Sequence, residues 1–240
     1  MNFSSENYLK IIFKLQYSEN LSNRSVKPLS ISRELGVSPA AVTDMLKKLS
    51  DDGYTNHAPY KGVSLTKKGI EKGREMVRRH RIWELYLQQI LGYSWGEVHQ
   101  EAELLEHASS ERLINRLEEL LGFPKYDPHG DPIPSKEGVF PEIVHSAPLA
   151  DCSAGDLVSV VRVSDFDPQF LHYIDSLDIH LGKEISILTI RSFDRSMLIE
   201  IGGRQESLSA LASQYIFVRT IKNNIENSDV SITISKDKNQ

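Results

Sequence analysis

Between Val98 and His107 the chain reads V-H-Q-E-A-E-L-L-E-H. On a helix advancing about 100° per residue, His99, Glu103, Glu106 and His107 fall within roughly one quadrant. Upstream, His80 and Glu84 stand one turn apart in the middle of a stripe whose other members are Val77, Leu87 and Leu91. A carboxylate on such a stripe needs a partner or a metal, because an unpaired buried charge is costly. Two helices that each turn imidazole and carboxylate inward constrain the fold strongly: they resemble the walls of a metal site.

An i,i+4 His/Glu pair is more often a solvated surface pair. Co-occurrence decides against that here, since four of the eight histidines fall between 80 and 129 on or beside inward faces. Asp127 and His129 flank a proline, which stiffens their geometry. Imidazole and carboxylate donors without thiolates suit first-row divalent ions of intermediate hardness. Glutamate rather than Cys or Met among the ligands tilts the choice toward Mn(II) or Fe(II), with other divalent ions accepted in vitro. The single cysteine, Cys152, excludes an intramolecular disulfide framework and thiolate-rich zinc sites.

Residues 4–20 read as a helix with Tyr8, Ile11, Ile12 and Leu15 at helical spacing. Residues 28–52 read as a helix-turn-helix. Gly36 closes its first helix, Ser38 caps the second, and Pro39 fits the first helical position. Val42, Met45, Leu46 and Leu49 form the buried stripe. Ser38, Pro39, Ala40, Thr43, Lys47 and Lys48 are left near or on the outer face, where small residues could approach base edges and lysines reach phosphates. Tyr54–Ala58 and Val63–Thr66 would pair as a wing, with Lys61 at its tip. Thr66 can cap a long helix to about Leu91, with Arg78, Arg79 and Arg81 solvated or near DNA. One further helix is expected from Gly96 to Leu121, its apolar second half packing in a helical core or a dimer contact.

From about Ala147 the period changes. Asp156–Val163, Glu184–Arg191, Ser196–Ile201 and Ile216–Thr220 are rich in β-branched residues, with a short helix over Pro168–Leu177. Such short strands suggest a small barrel. The fold class is therefore mainly α with small β. The domains are a winged helix-turn-helix (1–72), a helical domain that carries the candidate metal site and the apolar surface for a core or dimer contact (73–146), a small barrel (147–222) and a polar tail (223–240), in which V-S-I-T-I could add a strand.

Charge divides along the same lines. Residues 1–80 hold 14 Lys+Arg and 8 Asp+Glu, net +6; the remaining 14 and 25 give -11. A basic N-terminal third suggests a polyanionic partner. The start lacks a basic n-region and a long apolar stretch, and no apolar run could span a bilayer, so a cytoplasmic protein without membrane contact is expected.

R-R-H-R-I-W-E, followed by E-V-H-Q-E-A-E-L-L-E-H, resembles the metal-dependent repressors of the diphtheria-toxin-repressor (DtxR) family. P-K-Y-D-P-H-G-D-P-I-P resembles the manganese-responsive (MntR-like) branch that retains an SH3-like (FeoA-like) C-terminal domain. The resemblance covers about residues 4–220. It implies a homodimer that binds a palindromic double-stranded DNA operator and controls metal-homeostasis genes. It implies a primary site of His80, Glu103, Glu106 and His107 with Asn7 from the first helix. It implies an ancillary site of Glu84, Asp127, His129 and Asp165, with His99 nearby. Iron-sensing members carry Cys where this chain has Glu103, which favours manganese. The chain departs from the pattern at Asn7, where Met or Asp is usual, and at Asp127, where close relatives have Cys. At Lys10 some small manganese repressors have a carboxylate, so their two-ion cluster is not expected in the same form. The competing reading is a metalloenzyme with a di-metal hydrolytic site on the His/Glu helices.

Overall fold

The computed structural model describes residues 3–17, 25–58, 62–142, 144–165 and 167–222. Lys61 and the 223–240 tail, for which a wing-tip contact and an extra strand were expected, lie outside these residues. The chain forms two compact units, Met1–Glu142 and Ile143–Gln240.

The first unit begins with α1 (Phe3–Tyr17), α2 (Pro28–Leu35) and α3 (Pro39–Asp51). Gly36 ends α2 at φ 62°, a left-handed conformation that glycine enters without a Cβ penalty. Ser38 caps α3, its hydroxyl accepting from the backbone N–H of Ala41 at 3.2 Å. Val42, Leu46 and Leu49 are fully buried, and Met45 is half-buried against them. Leu9, Ile12 and Phe13 of α1 belong to the same core, together with Ile31, Val63 and Val77. The first helix is thus part of the helix-turn-helix and not an appendage to it. Strands β1 (Thr55–Ala58) and β2 (Gly62–Leu65) pair antiparallel as the expected wing.

Helix α4 (Lys67–Gln89) starts at Thr66, whose hydroxyl accepts from the N–H of Gly69 at 3.2 Å. It crosses the expected 72/73 boundary without a break. A Cβ at Gly73 would lie 2.7 Å from the carbonyl oxygen of Leu9, so glycine allows α1 and α4 to pack closely. The expected helix from Gly96 to Leu121 is two helices, α5 (Trp95–Ala108) and α6 (Glu111–Leu120). Ser109 and Ser110 are extended, and the Ser110 hydroxyl accepts from the N–H of Leu113, making it the cap of α6. Of the apolar half expected to be packed, Ile114 is buried while Leu104 and Leu120 are exposed.

Arg78, Arg79 and Arg81 of α4 are internal braces, not solvated or DNA-facing groups. Arg78 pairs with Glu118 at 2.6 Å, Arg79 donates to the carbonyl of Ser109 at 2.8 Å, and Arg81 pairs with Asp127 at 3.3 Å.

The second unit contains β3 (Ala147–Pro148), β4 (Leu157–Val163), α7 (Pro168–Ser176), β5 (Glu184–Ile190), β6 (Met197–Ile201), β7 (Arg204–Leu208), α8 (Ala210–Ser213) and β8 (Ile216–Lys222). They build a six-stranded antiparallel sheet in the order β3-β8-β4-β5-β6-β7. Strand β7, R-Q-E-S-L, was not expected, because its sequence carries no β-branched alternation. It forms because Gly202 and Gly203, both at positive φ, turn the chain back onto β6. Among the described residues no helix is long and apolar enough to cross a membrane.

Candidate metal centre

Three helices of the first unit bring the chemistry together. Helix α4 supplies His80 and Glu84, α5 supplies His99, Glu103, Glu106 and His107, and α1 supplies Glu6, Asn7 and Lys10. The pairing of α4 with α5 follows from α5's start, where Glu97 accepts from the backbone N–H of Ser94 at 3.0 Å, and from the buried contacts of Leu87, Val98 and Ala102. That packing forces the ionisable faces of the two helices inward. Glu84 and Glu106 are completely buried, and His80 nearly so.

His80 is the pivot. Its Nδ1 lies 2.6 Å from Oε2 of Glu106, and its Nε2 lies 2.9 Å from Oε1 of Glu84. His99 Nδ1 lies 3.2 Å from His80 Nε2 and 3.3 Å from Glu84 Oε1. Burial alone would pull the imidazolium of His80 down. The Glu84 charge opposes burial and Lys10 adds to it, but hydrogen bonds to Glu106 and Glu84 bring the balance up to about 9. Burial likewise disfavours the Glu84 carboxylate, yet the charge of His80 and hydrogen bonds from His80 and His99 hold it well below the ordinary range.

Two residues that periodicity could not assign to this site complete it. Lys10 pairs with Glu103 Oε1 and donates to both oxygens of Glu106, at 2.8 and 3.0 Å. Glu6 Oε2 lies 2.7 Å from His107 Nδ1, and Lys72 Nζ lies 3.0 Å from the other Glu6 oxygen. Phe3 stacks on the His107 ring at 4.8 Å. Glu6 is thereby held below the usual carboxylate range: burial raises it, and the bonds from His107 and Lys72 outweigh burial. Its place in the first turn of a helix marked it as a helix-end charge; nothing local marked it as the partner of His107.

Within the first unit, two groups have donor atoms all within 4.8 Å of one another: His80 with His99 and Glu103, and Glu103 with Glu106 and His107. Asn7 Oδ1, Glu84 Oε2, His107 Nε2 and both ring nitrogens of His129 are buried without a hydrogen-bond partner among the described residues. Orphaned buried polar atoms of this kind are rare and ask for an explanation. Nitrogen and oxygen donors left open together suit a first-row divalent cation, so the residues present fit such an ion.

Not every expected ligand is arranged alike. His99, expected beside the ancillary set, bridges towards Glu103 as well. Asp127 is turned to other work. Its Oδ1 accepts from the N–H groups of His129 and Asp131, both at 2.9 Å, and its Oδ2 faces Arg81. It acts as the acceptor that shapes the D-P-H-G-D turn, a common role for Asp in loops. His129 is fully buried with its ring 5.5 Å from Trp95. Asp165 lies in the second unit, just beyond β4. On the helix-turn-helix, Ser38, Pro39, Ala40, Thr43, Lys47 and Lys48 are all exposed.

Comparison with known proteins gives three family matches. Residues 2–63 match the iron-dependent repressor N-terminal DNA-binding domain, 66–135 its metal-binding and dimerisation domain, and 147–220 the FeoA domain. An HTH-type transcriptional regulator of Methanocaldococcus jannaschii is 39% identical over 117 residues, which are 49% of this chain and 91% of that one. The HTH-type transcriptional regulator MntR of Oceanobacillus iheyensis is 34% identical, over 52% of this chain and 81% of that one. The iron-dependent repressor IdeR of Mycobacterium bovis is 32% identical, over 66% of this chain and 70% of that one. A manganese-dependent transcriptional repressor solved in complex with manganese aligns with a TM-score of 0.80 at 38% identity, covering 90% of this chain and 100% of that one. The hydrolase alternative draws no support from these matches.

Proposed function

The chain belongs to the iron-dependent repressor (DtxR) family, and from that premise we propose that it represses metal-homeostasis genes in the cytoplasm as a homodimer activated by Mn(II), with Fe(II) as a weaker alternative. It is a metal-dependent transcriptional repressor of the DtxR/MntR type.

One observation carries the link between metal and DNA. Helix α1 has two loyalties: Leu9, Ile12 and Phe13 are buried in the helix-turn-helix core, while Glu6 and Lys10 reach His107, Glu103 and Glu106 of α5, with the buried, unbonded Oδ1 of Asn7 between them in sequence. Asn7, His80, Glu103, Glu106 and His107 would hold the activating ion. When bound, that ion supplies positive charge shared between α1 and α5. The chain's own part is to convert this tie into geometry. With α1 fixed against α5, the outer face of α3 is fixed too, because α1 and α3 share one core. In a two-fold dimer this sets the spacing of two α3 helices against the half-sites of a palindrome. Binding favours activation only by differential affinity for the DNA-competent arrangement.

The ancillary reading is narrower than the sequence suggested. Glu84, His99 and His129 retain open or shared donors and are the stronger members. Asp127 supports the loop, and Asp165 would have to come from the second unit. Exposed Leu104, Leu113 and Leu120 of α5 and α6 are the apolar surface best suited to the dimer contact. The donor set favours Mn(II) over softer ions, since it contains carboxylate, amide and imidazole and no thiolate.

The test is in two steps. DNA ligands are selected from a random duplex library with the full chain in Mn(II), and the enriched sequence is inspected for two-fold symmetry. An inverted repeat is expected. Enrichment that is equal with chelator and with Mn(II) would overturn the reading.

A further inference from the structure

We infer that Lys10 is an internal cation that competes with the divalent ion for Glu103 and Glu106, so that loading the site requires its ammonium to leave. The inference rests on the reading that these two carboxylates are metal ligands.

The geometry is specific. Lys10 is 3% exposed and Glu106 not at all, so the pair is sealed from water. The ammonium has three N–H donors and no acceptor. Here it meets three carboxylate oxygens: Oε1 of Glu103 and both oxygens of Glu106. A buried lysine tolerates loss of its hydration only when its donors are satisfied in this way. The structure therefore contains a cation seat matched to the acceptors around it, and the occupant is covalently part of the chain.

An incoming ion would draw on the same oxygens. Ion and ammonium would then sit a few ångströms apart beside the fully buried Glu106, where like charges repel more strongly than in water. Asn7 Oδ1 and His107 Nε2 are both buried without a hydrogen-bond partner among the described residues, His107 Nε2 lying 3.5 Å from Oε1 of Glu106, so both are open to an ion that takes the Glu106 oxygens. The replacement changes how α1 is tied to α5. Before loading, the tie is Lys10 to Glu103 and Glu106; after loading it would be Asn7 with the same two carboxylates. Lys10 therefore sets the concentration of metal at which the switch responds, and it keeps α5 neutralised and folded below that concentration.

Free Mn(II) is measured by electron paramagnetic resonance during titration of the full-length wild type, Lys10→Gln and Lys10→Met. Circular dichroism of each checks that it is folded. Both variants are expected to bind Mn(II) at least tenfold more tightly than wild type. In parallel, wild-type protein is treated with an amine-acetylating reagent with chelator and with saturating Mn(II), and Lys10 modification is read by peptide mass spectrometry against Lys47. Lys10 is expected to be protected with chelator and several-fold more reactive when Mn(II) is bound, with Lys47 unchanged. Mn(II) binding of equal strength in all three proteins, weaker binding in both variants, or a Lys10 that stays protected under Mn(II) would overturn the proposal alone. Absence of Mn(II) binding from all three would overturn the ligand reading as well. Binding by the variants but not by wild type would support competition in its extreme form.

Discussion

Glu6 Oε2 and His107 Nδ1 lie 2.7 Å apart although 101 positions separate them in the chain. The contact fixes which imidazole nitrogen is left over. Nδ1 is committed to Glu6, and Nε2 remains buried without a hydrogen-bond partner among the described residues, 3.5 Å from Oε1 of Glu106. A carboxylate behind a histidine in this way orients the ring and raises its basicity towards a cation.

Glu6→Gln keeps an acceptor for Nδ1 but removes the charge, and Glu6→Ala removes both. Mn(II) affinity is expected to fall roughly 10-fold to 100-fold in Glu6→Ala, with a smaller loss in Glu6→Gln. Competition against a fluorescent chelator measures this. Equal affinity in all three proteins would show that Glu6 serves only the ion pair with Lys72.

Glu106→Ala strands two cations at once, Lys10 and His80, in a buried space. Breaking one side of a buried ion pair typically costs about 3–5 kcal/mol. Thermal unfolding in chelator should show a large drop in Tm, and added Mn(II) should not restore it. Glu103→Ala, where the side chain is 30% exposed, should cost clearly less stability while still abolishing the metal response of DNA binding.

The pH dependence of stability carries the mark of His80. Its folded-state value lies near 9, above the ordinary 6.5 of the unfolded chain. A raised value means that the folded state holds the proton more tightly. The contribution is therefore fully present below about pH 6.5 and is lost as the pH rises through about 9. Denaturant midpoints in chelator are expected to decline from pH 6.5 to 9, and His80→Gln should flatten that slope. A slope unchanged by His80→Gln would remove the histidine from the account. Glu84, held well below its usual range, contributes in the opposite direction: its stabilisation is present above the ordinary carboxylate value of 4.5 and is lost progressively as the pH falls below it.

Lys47 is exposed on the outer face of α3. If it meets a phosphate, Lys47→Ala should weaken binding to specific and random duplexes alike. It should also reduce the slope of log affinity against log salt by about 0.9. Thr43→Ala, near a base edge, should instead narrow the gap between specific and random duplex. Anisotropy titrations at several salt concentrations separate the two. A change confined to one DNA sequence in Lys47→Ala would contradict the phosphate assignment.

Much of the architecture was legible because the signals were local. Ser38 and Thr66 cap as their neighbours dictate, Gly36 takes the left-handed turn, and the buried stripe of α3 follows its period. The inward His and Glu residues of α4 and α5 were legible for the same reason. What escaped was of two kinds. Ser110 fell on the helical stripe that runs from His99 to Leu121, so the break between α5 and α6 was hidden although Ser110 and Glu111 form a helix start. The remaining misses depend on contacts distant in sequence. Lys10 reaches Glu106 across 96 positions, Arg81 turns to Asp127, and Glu6 finds His107. No periodicity reports such pairings; the packing of α1 and α5 on α4 creates them. The backbone role of Asp127 was hidden because aspartate in a proline-glycine turn serves the backbone as readily as it serves a metal.

The central claim is that metal and DNA binding are coupled through α1. Fluorescence anisotropy of the selected duplex, titrated with full-length protein at fixed salt with chelator and then with saturating Mn(II), measures that coupling directly. A gain in affinity of at least tenfold with Mn(II), abolished in Glu103→Ala, is the expected result. Affinity that is the same with chelator and with Mn(II) would contradict the account.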